Sequence, residues 1–359
     1  MKIWHLISNR WNSAISEYAI SAARATVTMG ADVLTTSMAG SPVEKRILEL
    51  GLRSGTVEHF GPGKIPYLAA AARKIDPDII MTYGGPETTA AHFFKGRARL
   101  VRFYGYQSGD VSPLGAVAKK IGHLRVDHII TPAEIISRSL SDVVTCPVST
   151  VVLGCDEQLF KPVNVASEQR PSLLIFGRLD PVKGHREFLE VFAEILRRSI
   201  DHSGLQKNLR PKLKIVGLPA NLSAAHIHAV ARELQISTDD YEILCERVAD
   251  VAHLMSSATL GVVSSLGSEA ICRVAQEFLL CGTPVVTTAV GSLPEIFKEE
   301  NFGLVYAADD NIASARKIYE ILMTSYQDQM SVRHARSEMA RAHFSLPAMS
   351  QRLSEILHS

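Results

Sequence analysis

The sequence predicts an α/β protein made of two Rossmann-like, doubly wound domains in series. Short β-rich apolar runs alternate with longer stretches of helical period, a polar break divides the runs into two series, and 359 residues suit two domains at roughly 100–200 residues each. Strands that alternate with helices make βαβ units, and βαβ units make parallel sheets covered by helices. Right-handed crossovers then leave the doubly wound arrangement as the economical topology.

The first series of strand-like runs covers 2–7, 32–36, 56–60, 78–82, 99–104, 127–131 and 148–153. Between the first two, Glu17 to Met29 places Ile20, Ala23 and Val27 at helical spacing. The break is Lys161 to Pro171, polar, bracketed by prolines and without apolar periodicity. A second series starts at 172–177 and continues through 212–217, 241–245, 259–264, 283–288 and 302–306. The expected domains are 1–163 and 171–345 with a linker at 164–170. A last helix over 346–359 carries Met349, Leu353, Ile356 and Leu357 on one face. Ligands of open α/β sheets sit beyond the carboxyl ends of the strands, so the expected site is the cleft between the two domains.

Composition narrows the function. The chain has 38 Lys+Arg and 37 Asp+Glu, a net charge of +1, which argues against a nucleic-acid partner. The five cysteines (146, 155, 245, 272, 281) are scattered and contain no CxxC, which predicts reduced thiols in a cytoplasmic protein and no zinc site. No apolar run reaches the ~18 residues of a membrane span. The opening residues turn polar too soon for a signal peptide. No GxGxxG follows a strand, and neither a P-loop, a GxSxG elbow nor an HExxH is present. Asp76-Pro77-Asp78 has DxD spacing, but it precedes the strand at 78–82, at the amino end, and reads as a turn rather than a metal site.

Two patterns carry chemistry. In Gly177-Arg178-Leu179-Asp180-Pro181-Val182-Lys183-Gly184-His185, a strand ends and a helix follows. Two cations five residues apart on that turn can grip a diphosphate, arginine as a planar fork and lysine as a point charge, beside the positive end of the helix. The second pattern is Glu269 in the loop after the strand at 259–264, followed by Glu277 inside a helical pattern, four residues beyond Arg273. A carboxylate accepts two hydrogen bonds side by side, as from the vicinal hydroxyls of a ribose or hexose. Either pattern alone is also what a solvated surface loop or helix face would show.

Together these residues resemble family 4 retaining glycosyltransferases of the GT-B fold. Residues 177–185 resemble that family's GRL-x-x-x-KG-x motif, Glu269 to Glu277 has its E-x₇-E spacing, and Cys281-Gly282-Thr283-Pro284 and Val290 to Ile296 resemble the segments that follow. Leu153 to Pro162 is similar to the family's NGVD-x-x-x-F-x-P stretch before the linker. The resemblance implies a cleft enzyme that moves a sugar from a nucleotide-diphosphate sugar to a glycan, lipid-linked or small hydroxyl acceptor without a metal or other cofactor, in cell-envelope polysaccharide or lipopolysaccharide synthesis. It assigns Arg178 and Lys183 to the diphosphate, Glu277 to the ribose, and Glu269 to the donor sugar; these first two and Glu269 are the implied catalytic groups. Gly177 and the backbone of Ala270, Ile271, Cys272, Arg273 and Val274 would line the donor. The first domain would bind the acceptor, and the final helix would cross back to it.

Three departures stand out. Ala270-Ile271-Cys272 replaces the family's Gly-Phe-Gly after the first Glu, which restricts the backbone near the sugar. Asn9-Arg10-Trp11-Asn12-Ser13-Ala14 replaces its glycine-rich loop, so Asn12 and Ser13 are candidates for acceptor or phosphate contacts. Arg102-Phe103-Tyr104 stands where a histidine is common, making Arg102 and Tyr104 further candidates while leaving the catalytic base unassigned, with His92 read as structural. The alternatives are a nucleotide-sugar 2-epimerase of the same architecture, or a donor-binding paralogue with little turnover. Residues 1–165 carry a charge of +4 and residues 166–359 a charge of −3. Lys95, Arg97, Arg99, Arg102, Lys119, Lys120 and Arg125 concentrate the basic charge, which would suit weak association with a membrane surface on the cytoplasmic side; a solvated helical face is the simpler reading and the favoured one.

Overall fold

The computed structural model describes residues 1–106, 125–141, 143–165, 170–202, 209–267, 269–307 and 309–359. It divides into two compact units, Met1–Cys155 with Phe344–Ser359, and Asp156–His343.

The first unit holds a seven-stranded parallel sheet: β1 (Lys2–Ile7), β2 (Asp32–Met38), β3 (Ser54–Val57), β4 (Ile79–Thr82), β5 (Arg99–Phe103), β6 (His128–Thr131) and β7 (Val148–Thr150). Their spatial order is β3-β2-β1-β4-β5-β6-β7, with the reversal of winding between β1 and β4. The central strands are buried on both faces, as parallel sheets require: every residue of β4 and β6 is buried. The β1 strand buries one polar residue, His5, whose Nε2–H donates to Thr26 Oγ1 (2.9 Å) while Nδ1 accepts from the Tyr83 hydroxyl (2.6 Å). Thr26 itself donates to Ala23 O, which fixes that neutral tautomer, and burial lowers the His5 pKa to about 3.

The helix Leu346–Leu357 packs on the helix Ala14–Thr28, where Ser350 donates to Ala25 O (2.9 Å). Its C-terminal carbonyls are met by the Arg99 guanidinium, 3.1 Å from Leu357 O. Reciprocal backbone bonds, Cys155 N–H to Phe344 O (2.8 Å) and Leu346 N–H to Cys155 O (3.1 Å), tie its entry point to the end of the first chain passage.

The second unit holds a six-stranded parallel sheet: β8 (Ser172–Phe176), β9 (Lys212–Val216), β10 (Tyr241–Leu244), β11 (Leu260–Val263), β12 (Val285–Thr288) and β13 (Gly303–Tyr306), in the order β10-β9-β8-β11-β12-β13. Its core joins Leu173, Ile175, Leu213, Ile215 and Val262 to Phe188 and Phe192 of the helix His185–His202.

All thirteen strand runs of the sequence reading correspond to strands, with shifts at the ends. The largest is β3, found at Ser54–Val57 instead of 56–60, because His59 turns the chain by accepting from the Gly61 amide (3.0 Å). The first helix begins at Ala14 instead of Glu17, because Ser13 and Ser16 form a capping box. The first unit ends at Cys155 instead of 163: Asp156 to Val163 bonds within the second unit, with Val163 N–H donating to Ser256 Oγ (3.2 Å) and Arg341 donating to Glu157 O (3.4 Å). The second unit ends at His343 instead of 345. Of the expected linker, Ala166–Gln169 lie outside the described residues.

Candidate active site

The candidate site is built on the loops that leave the carboxyl ends of β8, β11 and β12 in the second unit. The first of these carries Gly177 to Gly184. Asp180 begins its short 3₁₀ turn, Pro181–Lys183, by accepting from the Val182 amide (3.1 Å), and Asn221 donates to the other oxygen of the same carboxylate (2.7 Å). Those bonds, the Val182 amide first, hold the Asp180 pKa below the usual carboxylate range. Gly184 ends the turn with φ +66°, and a Cβ there would lie 2.0 Å from the Ser264 carbonyl oxygen, so only glycine permits the close approach of these two loops. Two further bonds seal the contact: Ser264 Oγ donates to Lys183 O and the Leu266 amide donates to Val182 O, both 2.8 Å.

This seam brings Lys183 to Glu269. The ammonium donates to Glu269 Oε1, which also accepts from the Ser265 hydroxyl (2.5 Å). The Glu269 side chain is 11% exposed and that of Lys183 28% exposed, so the pair stands at the surface of the loops with one face toward solvent. Arg178, on the same loop, is exposed. Gly177 leaves open space where a Cβ would stand. Beneath Arg178 lies His185, buried, donating from Nε2 to the Arg178 carbonyl oxygen (3.1 Å). Burial lowers its pKa, which keeps the ring neutral at pH 7.

The helix Arg273–Leu280 starts from Cys272, whose φ of +55° is the left-handed conformation that favours glycine. A cysteine occupies that conformation here, with its thiol 3.0 Å from the Ser292 hydroxyl, which in turn donates to Glu269 O (3.0 Å). Burial pushes the Cys272 thiol up, so it stays protonated. The expected narrowing of backbone freedom is therefore met by strain: a cysteine holds a conformation that glycine adopts freely. Further along, Arg273 donates to Glu277 Oε1 (2.6 Å) across one helical turn, and Glu277 is 3% exposed. Ile271 is buried and Val274 half-buried at the helix start.

The other candidates lie in the first unit. Ser13 is occupied as a helix cap, with Asn9 donating to its hydroxyl (2.8 Å), while Asn12 is exposed. Arg102 stands 5.7 Å from the centre of the Tyr104 ring, and Tyr104 is buried. His92 donates to Thr88 O (2.9 Å), and burial, then Lys95, Arg125 and Arg102, lower its pKa, in keeping with a structural role. The basic density is partly tied into the fold: Lys95 pairs with Asp127 (2.6 Å), and Arg99 holds the last helix. Lys119 and Lys120 lie outside the described residues. Asp76 and Asp78 stand at the amino edge of the sheet, Asp76 ending a helix with φ +49° and Asp78 accepting from the Lys2 amide (2.7 Å). Among the described residues no group of three or more His, Cys, Asp or Glu is placed to hold a metal ion, and no helix is long and apolar enough to cross a membrane.

Residues that support this edge and were given no role from sequence are Asn221, Ser264, Ser265 and Ser292. Each is a short polar loop side chain; Ser264, Ser265 and Ser292 lie inside stretches that the sequence marks, but nothing in those stretches shows what their hydroxyls bond.

Residues 170–324 match the family described as glycosyl transferases group 1. The D-inositol 3-phosphate glycosyltransferase of Frankia alni is 32% identical over 174 residues, 45% of this chain and 41% of that protein. YtcC of Bacillus subtilis is 25% identical over 196 residues, 54% of this chain and 46% of that protein. The chain thus spans less than half the length of the curated relatives it matches. In fold it is similar to Anabaena HepE in complex with UDP (TM-score 0.79, 16% identity, all of both chains). It is likewise similar to a glycosyltransferase from Rickettsia africae (TM-score 0.80, 14% identity, 99% of this chain and 97% of that one). Residues 170–324 are thus similar to the group 1 glycosyl transferases, and the structural likenesses show the fold, two α/β units with parallel sheets like those of these glycosyltransferase structures.

Proposed function

We propose that the protein transfers a sugar from a nucleotide-diphosphate sugar to a hydroxyl acceptor, with retention at the anomeric carbon and without a metal ion. The observation that carries this reading is the meeting of the Arg178–Lys183 turn with Glu269 at one sheet edge, inside the segment that matches the family. As the anomeric carbon–oxygen bond breaks, negative charge builds on the departing diphosphate and positive charge on the sugar. Lys183 and Arg178 neutralise the first, in place before the reaction and so without reorganisation; fixed groups of this kind lower barriers by several kcal/mol. A new bond forms from the acceptor oxygen to the anomeric carbon, and the acceptor proton leaves with the diphosphate.

Glu269 has two duties in this reading. It holds Lys183 at the loop surface before the donor arrives, and it accepts donor-sugar hydroxyls beside that ammonium in the bound complex. Glu277 takes the ribose hydroxyls, its Oε1 steadied by Arg273. HepE is described with UDP and with UDP-glucose, which supports a nucleotide-sugar donor here. Glycan and lipid-linked molecules are the proposed acceptors, in cell-envelope polysaccharide or lipopolysaccharide synthesis at the cytoplasmic face of a membrane.

The test is a thermal-shift screen against UDP-, GDP- and ADP-sugars. A donor at 100 times its Kd stabilises the native state by about 2.7 kcal/mol, and Glu277→Ala should remove most of that shift. Failure of every nucleotide sugar to raise the melting temperature would overturn the reading.

A further inference from the structure

We propose that Trp11, with Tyr106 beside it, forms the surface on which the acceptor's pyranose ring lies. The proposal rests on the transferase reading above and adds the acceptor-recognising residue that reading lacks.

The loop from Ser8 to Ser13 leaves the carboxyl end of β1 next to the point where the sheet's winding reverses, the place where doubly wound sheets receive ligands. It is short and held at every turn. The Ser8 amide donates to the buried Glu87 carboxylate (3.2 Å), and the Trp11 amide donates to Asn9 Oδ1 (3.2 Å). The Ser16 hydroxyl donates to Trp11 O (2.9 Å), and Asn9 Nδ2 donates to the Ser13 cap (2.8 Å). Yet the indole at its tip is 71% exposed. The chain's other tryptophan, Trp4, is 1% exposed and donates to Thr36. A scattered apolar side chain on a surface needs no explanation. A large ring held out by a fixed backbone, at the ligand edge of the sheet, does.

A second aromatic stands nearby. Tyr106 follows β5, is 52% exposed, and meets the buried Tyr104 ring edge-on at 5.8 Å. Between them, Gly105 lies against the helix that follows the Trp11 loop: a Cβ on it would be 3.8 Å from Ile15. The strands β1 and β5 are separated only by β4, so their loops start about 10 Å apart.

The chemistry of the neighbours selects the occupant. The residues flanking Trp11 are Ser8, Asn9, Arg10, Asn12 and Ser13, and the Asn12 amide is exposed. An apolar plate with a polar rim, in which the Asn12 amide and the Arg10 guanidinium stand exposed, matches a pyranose, which has one face of C–H bonds and a rim of hydroxyls that accept from such donors. A bilayer would instead call for continuous apolar surface, which this rim interrupts.

The experiment titrates the full chain, saturated with UDP, with methyl α-D-glucopyranoside, methyl β-D-galactopyranoside and methyl α-D-mannopyranoside, with the open-chain polyol D-sorbitol as control. At least one glycoside should shift the tryptophan emission, since Trp4 is shielded and Trp11 reports alone; sorbitol should not. By equilibrium dialysis, Trp11→Ala should weaken that glycoside about tenfold, and Trp11→Phe should recover binding to within about threefold of the parent chain. The inference is overturned when no glycoside moves the emission, when sorbitol moves it equally, or when Trp11→Ala binds within twofold of the parent. Absence of any nucleotide-sugar thermal shift would instead sink the transferase reading, so the two failures are told apart.

Discussion

At the carboxyl edge of the second sheet, Lys183 and Glu269 meet with 28% and 11% of their side chains exposed; at the same edge of the first sheet, Glu87 is fully enclosed. Both edges come from parallel doubly wound sheets. In the second unit a turn and a loop carry opposite charges to a surface where a ligand can reach them. In the first, the carboxylate faces inward and accepts the amides of Ser8 and Tyr83, each at 3.2 Å, tying the loop after β1 to the loop after β4. What the first edge presents outward is the Trp11 ring with the exposed Arg10 and Asn12 beside it. The difference teaches that a charged residue at a ligand edge is read by what it already holds: Glu87 is spent on two loop amides, whereas Lys183 and Glu269 keep one face toward solvent.

The largest expected effect tests the exposed pair. Lys183→Ala removes the point charge that the proposed reaction sets against the leaving diphosphate, and turnover should fall about 10²–10³-fold, the range seen when one fixed donor to a developing anion is lost. Donor binding should weaken far less, since Arg178 remains. Lys183→Arg should not restore the rate, because a planar fork does not replace a compact ammonium on a tight turn. Steady-state kinetics with the donor identified by thermal shift checks this. Turnover within fivefold of the parent would place Lys183 with the scaffold, like Glu87, and dissolve the contrast.

The enclosed carboxylate gives the next effect. Glu87→Ala leaves the buried Tyr83 amide and the half-buried Ser8 amide unpaired and should cost about 2–4 kcal/mol by chemical denaturation. Glu87→Gln retains an acceptor oxygen and should fold well. Burial raises the Glu87 pKa above its ordinary value of 4.5, while the Ser8 hydroxyl, its own amide and those of Ser8 and Tyr83 pull it partly back. The folded state therefore holds the proton more tightly than the unfolded one. The contribution of this group is fully present below pH 4.5 and is lost as pH rises through the raised folded value. Relative to the parent, the Gln variant should gain stability over that window and then level off. A stability difference flat from pH 4 to pH 8 would show that Glu87 is not held against its charge.

The contrast also explains what the sequence revealed. Strands were legible because parallel sheets buried on both faces make unbroken apolar runs, such as Ile79-Ile80-Met81. His5 did not disturb β1 because its two ring nitrogens are answered by Tyr83 and Thr26, partners at distances of 78 and 21 residues along the chain that no local pattern displays. The charged edge of the second sheet was legible because Arg178, Lys183 and Glu269 sit in loops just after strand ends, where the structure brings Lys183 to Glu269. The capping box at Ser13 and Ser16 lacks the usual Glu or Gln at its fourth position, which hid the true start of the first helix. The unit boundary at Cys155 was hidden by proline and polar residues at 161–171, which mark irregular backbone without saying which body it packs on.

The smallest effect concerns Cys272, where the two contributions oppose. A non-glycine residue in the left-handed conformation costs about 1–2 kcal/mol, and Cys272→Gly relieves that. The same change removes a buried thiol in contact with Ser292 and lets the unfolded chain gain freedom, each worth roughly 0.5–1 kcal/mol in the other direction. The sum lies near zero, so the unfolding midpoint should move by no more than about 1 kcal/mol. Activity is where the variant differs: the Glu269 carbonyl is linked to this thiol through Ser292, so a freer residue 272 should broaden the range of donor sugars accepted while lowering the rate with the best one. A loss above about 3 kcal/mol would exceed the cavity and entropy contributions combined. It would mean that the thiol–hydroxyl contact, and not the backbone shape, holds the Glu269 loop in position.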